Sequence, residues 1–321
     1  MEKAISATVP RAGIQYKKKE NRFRKYLPLL TMMAPGLLYL LFNNYLPMLG
    51  IVIAFKKINF AKGILESDWI GFKNFEYLFK TSDAFIITRN TILYNLLFIV
   101  VGTFLSLACA ILLNEIKNKV LLKFYQSVIT LPHLISMVIV SYLVYALLSA
   151  DTGFMNHTVL PWFGLKDGIS WYTEEKYWPW ILTLVHFWKS VGYSSIVFFA
   201  ALLGIDEEYY EAARLDGASR LQQIRHITLP ILTPVIIMLT LLSIGRIFYS
   251  DFGLFYQVPM NSGALFNTTA TIDTYVFKGL TGNGDIGLST AAGVYQSVVG
   301  FILVMLANYM VRLYSKDSAL F

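Results

Sequence analysis

The sequence predicts an all-α membrane protein with six transmembrane helices. Hydrophobic residues make up 56% of the 321 residues and charged residues only 15%. The mean hydropathy of +0.54 is typical of a chain that crosses a bilayer several times. Six segments are apolar over the roughly 20 residues that a helix needs to cross the hydrocarbon core. The basic residues concentrate in alternate connecting segments, as expected when successive spans run in opposite directions.

The six spans are expected to be helical, because lipid offers no hydrogen-bond partner to a free backbone group. The first span contains Pro35 and Pro47 and should kink or split there. We interpret it as a retained span rather than a cleaved signal peptide, since the apolar run continues past any small-residue cleavage site. The predicted spans cover residues 27–55, 89–114, 122–149, 178–204, 230–252 and 286–312.

The chain is expected to form one membrane domain over residues 27–313. A basic tail of residues 1–26 precedes this domain, and a short tail of residues 314–321 follows it. The connecting segments are too short to hold an inserted soluble domain, and the sequence shows no internal repeat. We expect the N-terminal tail to contact anionic lipid.

The positions of the lysines and arginines predict the orientation. The N-terminus, the loops 115–121 and 205–229 with their flanks, and the C-terminus carry 16 basic and nine acidic residues. The loops 56–88, 150–177 and 253–285 carry eight basic and ten acidic residues. Because the side richer in Lys and Arg stays in the cytoplasm, both termini are expected there. The net charge of +7 thus follows from topology and gives no support for nucleic-acid binding.

Few residues in the sequence could carry metal or nucleophile chemistry. Cys109 is the single cysteine and lies in an apolar run, so we interpret it as a small buried hydrophobe. The four histidines are scattered without metal-ligand spacing. The sequence has no G-x-x-x-x-G-K-[ST] motif, so this chain is not predicted to bind or hydrolyse ATP. We therefore predict a chain that is not an enzyme and holds no metal or cofactor.

A polar, charged segment interrupts the apolar pattern between the fourth and fifth predicted spans; we call residues 205–229 the insert. The acidic residues that follow Ile205 suit a helix N-terminus, where the helix dipole favours negative charge. Gly217 should end this first helix, and Ser219 can cap a second helix that runs to about Thr228. Pro230 then begins the fifth span, where its missing N–H costs little. The insert is therefore predicted to be helix, turn, helix.

The side chains of the insert suit close contact with another protein. Ala212 and Ala213 are small enough for close approach, and Glu211, Arg214 and Arg220 can pair with charges on a partner. A different hypothesis stays open on physical grounds, in which the insert is an amphipathic helix that rests on lipid headgroups.

The spacing in the insert resembles the EAA loop of permease subunits in binding-protein-dependent ABC importers. That pattern is E-A-A, three residues, G, nine residues, I-x-L-P, and six spans with this loop before the fifth is also the family arrangement. The N-terminal half further resembles permeases for oligosaccharides and polysaccharides, in segments 34–37, 45–50 and 69–75. The residues at the fixed positions of the loop are Glu211, Ala212, Ala213, Gly217, Ile227, Leu229 and Pro230.

The resemblance implies an ABC type I importer permease fold in which the insert acts as a coupling helix. The implied partners are a second permease subunit in a heterodimer, two cytoplasmic ATPase subunits that bind ATP and Mg, and an extracytoplasmic substrate-binding protein. The implied substrate is an oligosaccharide, and the implied location is a bacterial cell membrane. The residues expected to carry coupling are Glu211, Ala212, Ala213, Arg214, Asp216, Gly217 and Arg220.

Polar side chains inside predicted spans are candidates for a substrate path, because such groups are costly in lipid and usually face a cavity or a partner. Aromatic rings lie beside them in the sequence, and rings with polar groups are what a sugar needs. An ion pair of Arg246 with Asp251 or with the partner permease remains an alternative. The residues predicted for the path are Lys189, Tyr193, Arg246, Tyr249, Asp251 and Arg89.

The predicted spans contain three cations and one anion, Asp251. This balance suits an acidic saccharide, and it suits pairing with the partner chain equally well. The segment 69–79 is expected to form an interfacial helix on the outer leaflet. The loops 150–177 and 253–285 are long and polar, and are expected to contact a substrate-binding protein.

Other classes of function are weighed against this interpretation. A secondary active transporter would need intramembrane carboxylates and often shows repeated halves, and neither is evident in the sequence. A membrane enzyme would need a cluster of His, Asp, Glu or a nucleophile. A scaffold protein would not need the spacing from Gly217 to Pro230.

Overall fold

The computed structural model describes residues 22–164, 167–282 and 285–314. The predicted tails, 1–26 and 314–321, therefore lie largely outside the described residues. The chain divides into two compact units, residues 1–50 and 51–321. The first unit contains helix α1 (Arg22–Leu40), a π-helical turn (Leu41–Tyr45) and the short helix α2 (Leu46–Met48).

In the described part of the second unit the β-structure consists of one two-residue ladder, Lys56–Lys57 (β1) with Asp68–Trp69 (β2). A 3₁₀ turn at Leu49–Phe55 leads into it. Its α-helices are α3 (Gly63–Glu66), α4 (Lys73–Lys80), α5 (Ser82–Asn114), α6 (Lys119–Leu134), α7 (Met137–Leu148), α8 (Leu160–Trp162), α9 (Trp178–Leu202), α10 (Glu207–Leu215), α11 (Arg220–Gln223), α12 (Leu229–Ile244), α13 (Phe266–Thr269), α14 (Ile272–Thr281) and α15 (Ile286–Tyr314).

Among the residues that the structure describes, five helices are long and apolar enough to cross a membrane, and the count is six if the bent pair α6–α7 is one span. The other five are Tyr26–Phe55, Ser82–Asn114, Glu175–Leu202, Arg220–Ile244 and Ile286–Arg312. This arrangement confirms the predicted all-α membrane fold.

Three of the helices contain a π-helical turn directly before a Leu–Pro step. These turns are Leu41–Tyr45, Met155–Val159 and Ile224–Thr228, and the prolines are Pro47, Pro161 and Pro230. Proline cannot donate the usual helical hydrogen bond, and a π turn widens the helix by one residue there. The first span therefore does not split at Pro47, because the wider turn before it accommodates the proline.

The third predicted span, 122–149, is wrong as a single straight helix. It breaks at Ile135 and Ser136, where α6 and α7 meet at 92°. Pro132 lies in the last turn of α6. Ser136 starts α7 as its N-cap, and its hydroxyl accepts from Ile139 N at 3.4 Å. Proline followed by a cap residue explains the break.

The fifth predicted span, 230–252, starts within one residue of α12 at Leu229, but its predicted C-terminal end is wrong. The helical segment extends back to Arg220 and ends at Ile244. Turns and irregular backbone then cover residues 245–251. The second helix of the insert is thus continuous with the span rather than a separate element on the membrane face.

The core of the second unit lies between α5 and α9. At the insert end, Ala110 and Leu113 of α5 pack against Phe198 and Leu202 of α9, with Leu232 of α12. At the far end, the corresponding cluster adds α7 and the segments between the spans. Its buried members include Tyr94, Phe98, Val144, Leu148, Trp171, Trp178, Leu182, Leu254 and Leu265.

In the two long connections at the far end, which were predicted as the polar loops 150–177 and 253–285, described residues contribute buried side chains to the core. The side chain of Asn156 donates to the carbonyls of Ala150 and Ile169 at 3.1 and 3.0 Å. It also accepts from the Trp171 indole at 2.8 Å. Burial raises the pKa of the Tyr172 phenol.

The predicted interfacial helix is shorter than expected, since it begins at Lys73 and Trp69 belongs to β2. One face of α4 is buried in the protein: Leu78 and Asn74 are buried, and the Asn74 amide donates to Ala54 O and Lys56 O. On the exposed face, the hydrogen bond from Lys80 lowers the pKa of the Glu76 carboxyl.

Gly192 on α9 allows close approach of α6, and its replacement should destabilise the fold. A Cβ at this position would lie 1.8 Å from Ile129 O. We expect Gly192→Ala to lower stability by about 1–3 kcal/mol, measured as the midpoint of thermal unfolding in detergent. Gly293→Ala is the control, because its Cβ would meet only Val276 at 4.0 Å. Equal midpoints for the two variants would contradict the close contact.

Candidate functional site

The first helix of the insert is α10, and its two ends have defined caps. The Asp206 carboxylate accepts from Glu208 N at 3.1 Å, so it satisfies one of the free N–H groups at the start of the helix. At the other end, Ala218 N donates to Ala213 O at 2.9 Å and Gly217 N donates to Arg214 O at 3.1 Å. This pair of bonds is the Schellman motif.

Gly217 lies at the turn, as the sequence predicted, with a φ of +79°. This left-handed conformation is accessible to glycine and costs other residues about 1–2 kcal/mol. The next helix starts two residues later, where Ser219 N donates to the Gln222 side chain at 2.7 Å. A glycine at this position therefore sets the angle between the two helices of the insert.

The insert is fixed to the membrane-spanning helices by side-chain contacts. The hydroxyls of Tyr210 and Thr228 lie 2.9 Å apart, which connects α10 to the helical segment that continues into α12. Arg220 lies 3.5 Å from the carboxylate of Glu115, just beyond the end of α5. These contacts connect α10 to the helical segment that continues into α12, and α11 to the end of α5.

A cavity of about 370 Å³ lies under α10. Gln223 lines it with a side chain only 4% exposed, and its Oε1 has no hydrogen-bond partner among the described residues. The cavity is wide enough for water. Its walls also include the charged side chains of Glu115, Lys117, Glu207, Arg214 and Arg220.

The structure separates the predicted coupling residues into two groups. Arg214 and Arg220 line the cavity and have intrachain carboxylates, with Arg214 at 3.7 Å from Glu207. Glu211 is exposed and, among the described residues, has no hydrogen-bond or ion-pair partner. Ala212 and Asp216 are exposed and Ala213 is half-buried. Arg214 and Arg220 are exposed as well, so all the predicted coupling residues except Ala213 lie on the exposed surface of the insert.

A second cavity, of about 670 Å³, lies among α5, α9 and α12; we call it the central cavity. One wall is aromatic: the Phe98 and His186 rings stack with centroids 3.7 Å apart. Its polar lining is composed of hydroxyls, one amide, one imidazole and one guanidinium. The polar residues are Asn95, Thr103, Ser106, His186, Ser190, Tyr193, Ser194, Ser243, Arg246 and Tyr249.

The central cavity contains three of the six residues predicted for a substrate path. Tyr193, Arg246 and Tyr249 line it, whereas Lys189, Asp251 and Arg89 are not part of its lining. The sequence analysis did not single out Thr103, Ser106, Ser190 and Ser243. A serine or threonine in an apolar helix is too common to mark a cavity, because its hydroxyl can donate to a backbone carbonyl one turn earlier.

Lys189 does not line the central cavity but stabilises the break between α6 and α7. Its ammonium donates to Pro132 O at 3.2 Å, to His133 O at 3.0 Å and to Ile135 O. These carbonyls lie at the C-terminal end of α6, where a cation also suits the helix dipole. The neighbouring Tyr193 ring stacks on His133 at 4.2 Å.

Asp251 and Arg89 make local contacts near the far end. The Asp251 carboxylate accepts from Leu254 N at 3.1 Å, at the start of a π-helical turn. The Arg89 guanidinium donates to Asn90 Oδ1 at 3.0 Å and to Asn267 O at 2.8 Å. The suggested Arg246–Asp251 pair is absent among the described residues, where neither side chain forms a salt bridge.

The backbone that carries Arg246 and Tyr249 leaves the helix after Ile244; we call residues 245–250 the Arg246 turn. The Asn95 amide donates to Ile247 O at 3.0 Å and to Tyr249 O at 3.2 Å. The Gln296 amide donates to Phe248 O at 2.6 Å. Backbone outside a helix needs such partners at membrane depth, so neighbouring spans hold this turn in place.

The comparisons with known proteins agree with this geometry. Residues 102–316 match the family described as "Binding-protein-dependent transport system inner membrane component". The chain belongs to this family: it is a multi-pass membrane permease subunit of an ABC importer.

The chain resembles particular relatives over nearly its whole length. It is 35% identical to the polygalacturonan/rhamnogalacturonan transport system permease protein YteP of Bacillus subtilis (strain 168), over 98% of this chain and 99% of the relative. It matches a chain of a bacterial ABC transporter involved in the import of the acidic polysaccharide alginate, with a TM-score of 0.82, 32% identity, and coverage of 91% and 97%. The crystal structure of a bacterial alginate ABC transporter in complex with alginate pentasaccharide-bound periplasmic protein matches equally well, with a TM-score of 0.82, 32% identity, and coverage of 92% and 97%.

Replacement of Lys189 should destabilise the fold rather than remove a substrate contact. Lys189→Met leaves the carbonyls at the end of α6 unsatisfied, at a cost of about 3 kcal/mol. We expect a lower midpoint of thermal unfolding in detergent. Arg246→Met is the control, since its guanidinium makes no hydrogen bond or ion pair among the described residues. A stable Lys189→Met protein would argue against this role.

Proposed function

We propose that this chain is a transmembrane subunit of an ATP-driven importer of carbohydrate and forms half of the translocation path. The observation that carries the proposal is the central cavity, which combines aromatic rings with a ring of hydroxyls and one amide. Sugars present C–H patches that pack on aromatic faces, and hydroxyls that need many hydrogen-bond partners. The named relatives transport or import polysaccharides, which supports the same class of substrate.

The insert is proposed as the docking element for a separate cytoplasmic ATPase, which would bind ATP and Mg. Leu215 and Leu221 flank the turn at Gly217 and are 89% and 75% exposed. Apolar side chains exposed on a charged segment favour a protein partner. The same exposure would suit contact with lipid headgroups, but Glu211 and Asp216 on the exposed surface oppose an anionic membrane.

The orientation and the remaining partners follow from the same proposal. With the insert in the cytoplasm, the N- and C-termini lie there too, and the layer built from residues 150–177 and 253–282 faces outward. This layer is the surface that we propose for a substrate-binding protein. A second permease subunit would complete the translocation path, of which this chain is proposed to form half.

The test of the proposed function is reconstitution of the complex purified from its native host. We expect two ATPase subunits and a second permease to co-purify. Uptake of oligosaccharide into proteoliposomes should require ATP and the binding protein. Uptake that persists without ATP would support a secondary transporter instead. Failure of every saccharide tested, with the complex intact, would overturn the carbohydrate assignment.

Gly217→Val should uncouple ATP hydrolysis from transport, because valine resists the φ of +79° that the turn needs. We expect an inserted, folded protein with at least a tenfold loss of substrate-stimulated ATPase activity, which corresponds to about 1.4 kcal/mol. The matched control is Gly63→Val, since Gly63 has a φ of +77° and an equally open surrounding.

The control separates local strain from coupling. Both substitutions impose the same backbone conflict on an exposed glycine, but Gly63 lies at the start of α3, far along the chain from the insert. Comparable loss of ATPase activity in both variants would argue against a special role for the insert. Glu211→Lys should reproduce the effect of Gly217→Val if its exposed carboxylate contacts the ATPase.

A further inference from the structure

We infer that Arg246 binds a carboxylate of the transported sugar, so that the substrate is an acidic, uronate-containing oligosaccharide. This inference rests on the proposed function and adds to it a substrate class and the residue that selects it. It depends on two features of the central cavity: a charge without a counterion and a turn whose backbone is held by neighbouring spans.

The charge on Arg246 is not balanced in the described part of the chain. Its guanidinium lines the central cavity and makes no hydrogen bond or ion pair there. The cavity lining includes no aspartate or glutamate. The nearby Asp273 carboxylate already accepts from the backbone N–H and the hydroxyl of Ser250, both at 2.7 Å, and from Gln296 at 3.1 Å. An unpaired cation at membrane depth is costly, so a function is expected for it.

The Arg246 turn is held rigidly, as a binding site requires. Its carbonyls accept from Asn95 and Gln296, and its last residue donates to Asp273. Phe248, in the middle of the turn, is only 2% exposed and packs into a separate buried cluster. The α12 helix ends at Ile244 so that this turn lines the cavity. A guanidinium carried by this turn can bind a carboxylate through two parallel hydrogen bonds.

The surrounding groups define the rest of the ligand. Hydroxyls of Ser190, Ser194 and Ser243 and the ring of Tyr249 lie in the same lining. A small inorganic anion would use the guanidinium but would leave the aromatic wall uncovered. A neutral sugar would use the wall and the hydroxyls but leave the charge unpaired. A sugar acid uses both.

Arg246 has two alternative roles, and each gives a different experimental result from carboxylate binding. A cation just after the end of α12 interacts favourably with the helix dipole, and a carboxylate of the partner permease could pair with it. If Arg246 had either of these roles, its replacement would change the binding of acidic and neutral ligands equally. If Arg246 binds the carboxylate of the ligand, its replacement weakens the binding of the acidic ligand only.

The experiment compares equilibrium binding of two radiolabelled probes to the purified permease–ATPase complex without its binding protein. The probes are trigalacturonate and the same trisaccharide with its carboxyl groups reduced to alcohols. Omission of the binding protein removes its own preference from the result. We expect Arg246→Gln to weaken trigalacturonate binding about 10- to 100-fold and to leave the reduced probe within twofold. Arg246→Lys, which keeps the charge but loses the paired geometry, should lie between the wild type and Arg246→Gln.

Lys57→Gln is the control for charge alone, since it removes one exposed lysine outside the central cavity and should change neither affinity. Equal loss for both probes in Arg246→Gln, or loss for neither, would overturn the inference. A wild-type complex that binds the reduced probe but not trigalacturonate would also overturn it, while the carbohydrate function would stand. A wild-type importer that takes up no saccharide would reject the proposed function itself.

Discussion

A membrane-spanning helix that breaks must find partners for the carbonyl groups that it frees, because lipid offers none. This constraint organises the second unit. At the break between α6 and α7, the ammonium of Lys189, which lies on α9, donates hydrogen bonds to three carbonyls at the end of α6. At the end of α12, the amides of Asn95 and Gln296 do the same from α5 and α15. The two breaks depend on neighbouring spans, and the second of them brings polar side chains to the central cavity.

The insert and the cavity are joined by one continuous helical segment, Arg220–Ile244. Its first turn follows Gly217, and its last turn precedes Arg246. The segment places the Arg246 turn about 37 Å from the insert along the axis at 1.5 Å per residue. This geometry gives a physical connection between the proposed ATPase contact and the proposed ligand site.

Much of this arrangement was predictable from local patterns. Apolar length identified the spans, and the acidic start, Gly217 and Ser219 identified the insert as helix, turn, helix. The interruptions were predicted less well. The sequence of the third span contains Pro132, but proline alone does not distinguish a kink from a 92° bend. The donor that permits the bend is Lys189, more than 50 positions along the chain, and a local pattern cannot show that contact.

The residues of the substrate path show the same division. All six predicted residues were polar groups near apolar segments, yet only Tyr193, Arg246 and Tyr249 line the central cavity. The cost of a polar group in lipid depends on composition and can be read from sequence. Whether the group meets that cost by bonding to backbone, as Lys189 does, or by facing a cavity, as Arg246 does, depends on which helices become neighbours. The sequence by itself thus determined the class of fold, the spans and the insert, while tertiary contacts alone decided which polar side chains are free to bind a ligand.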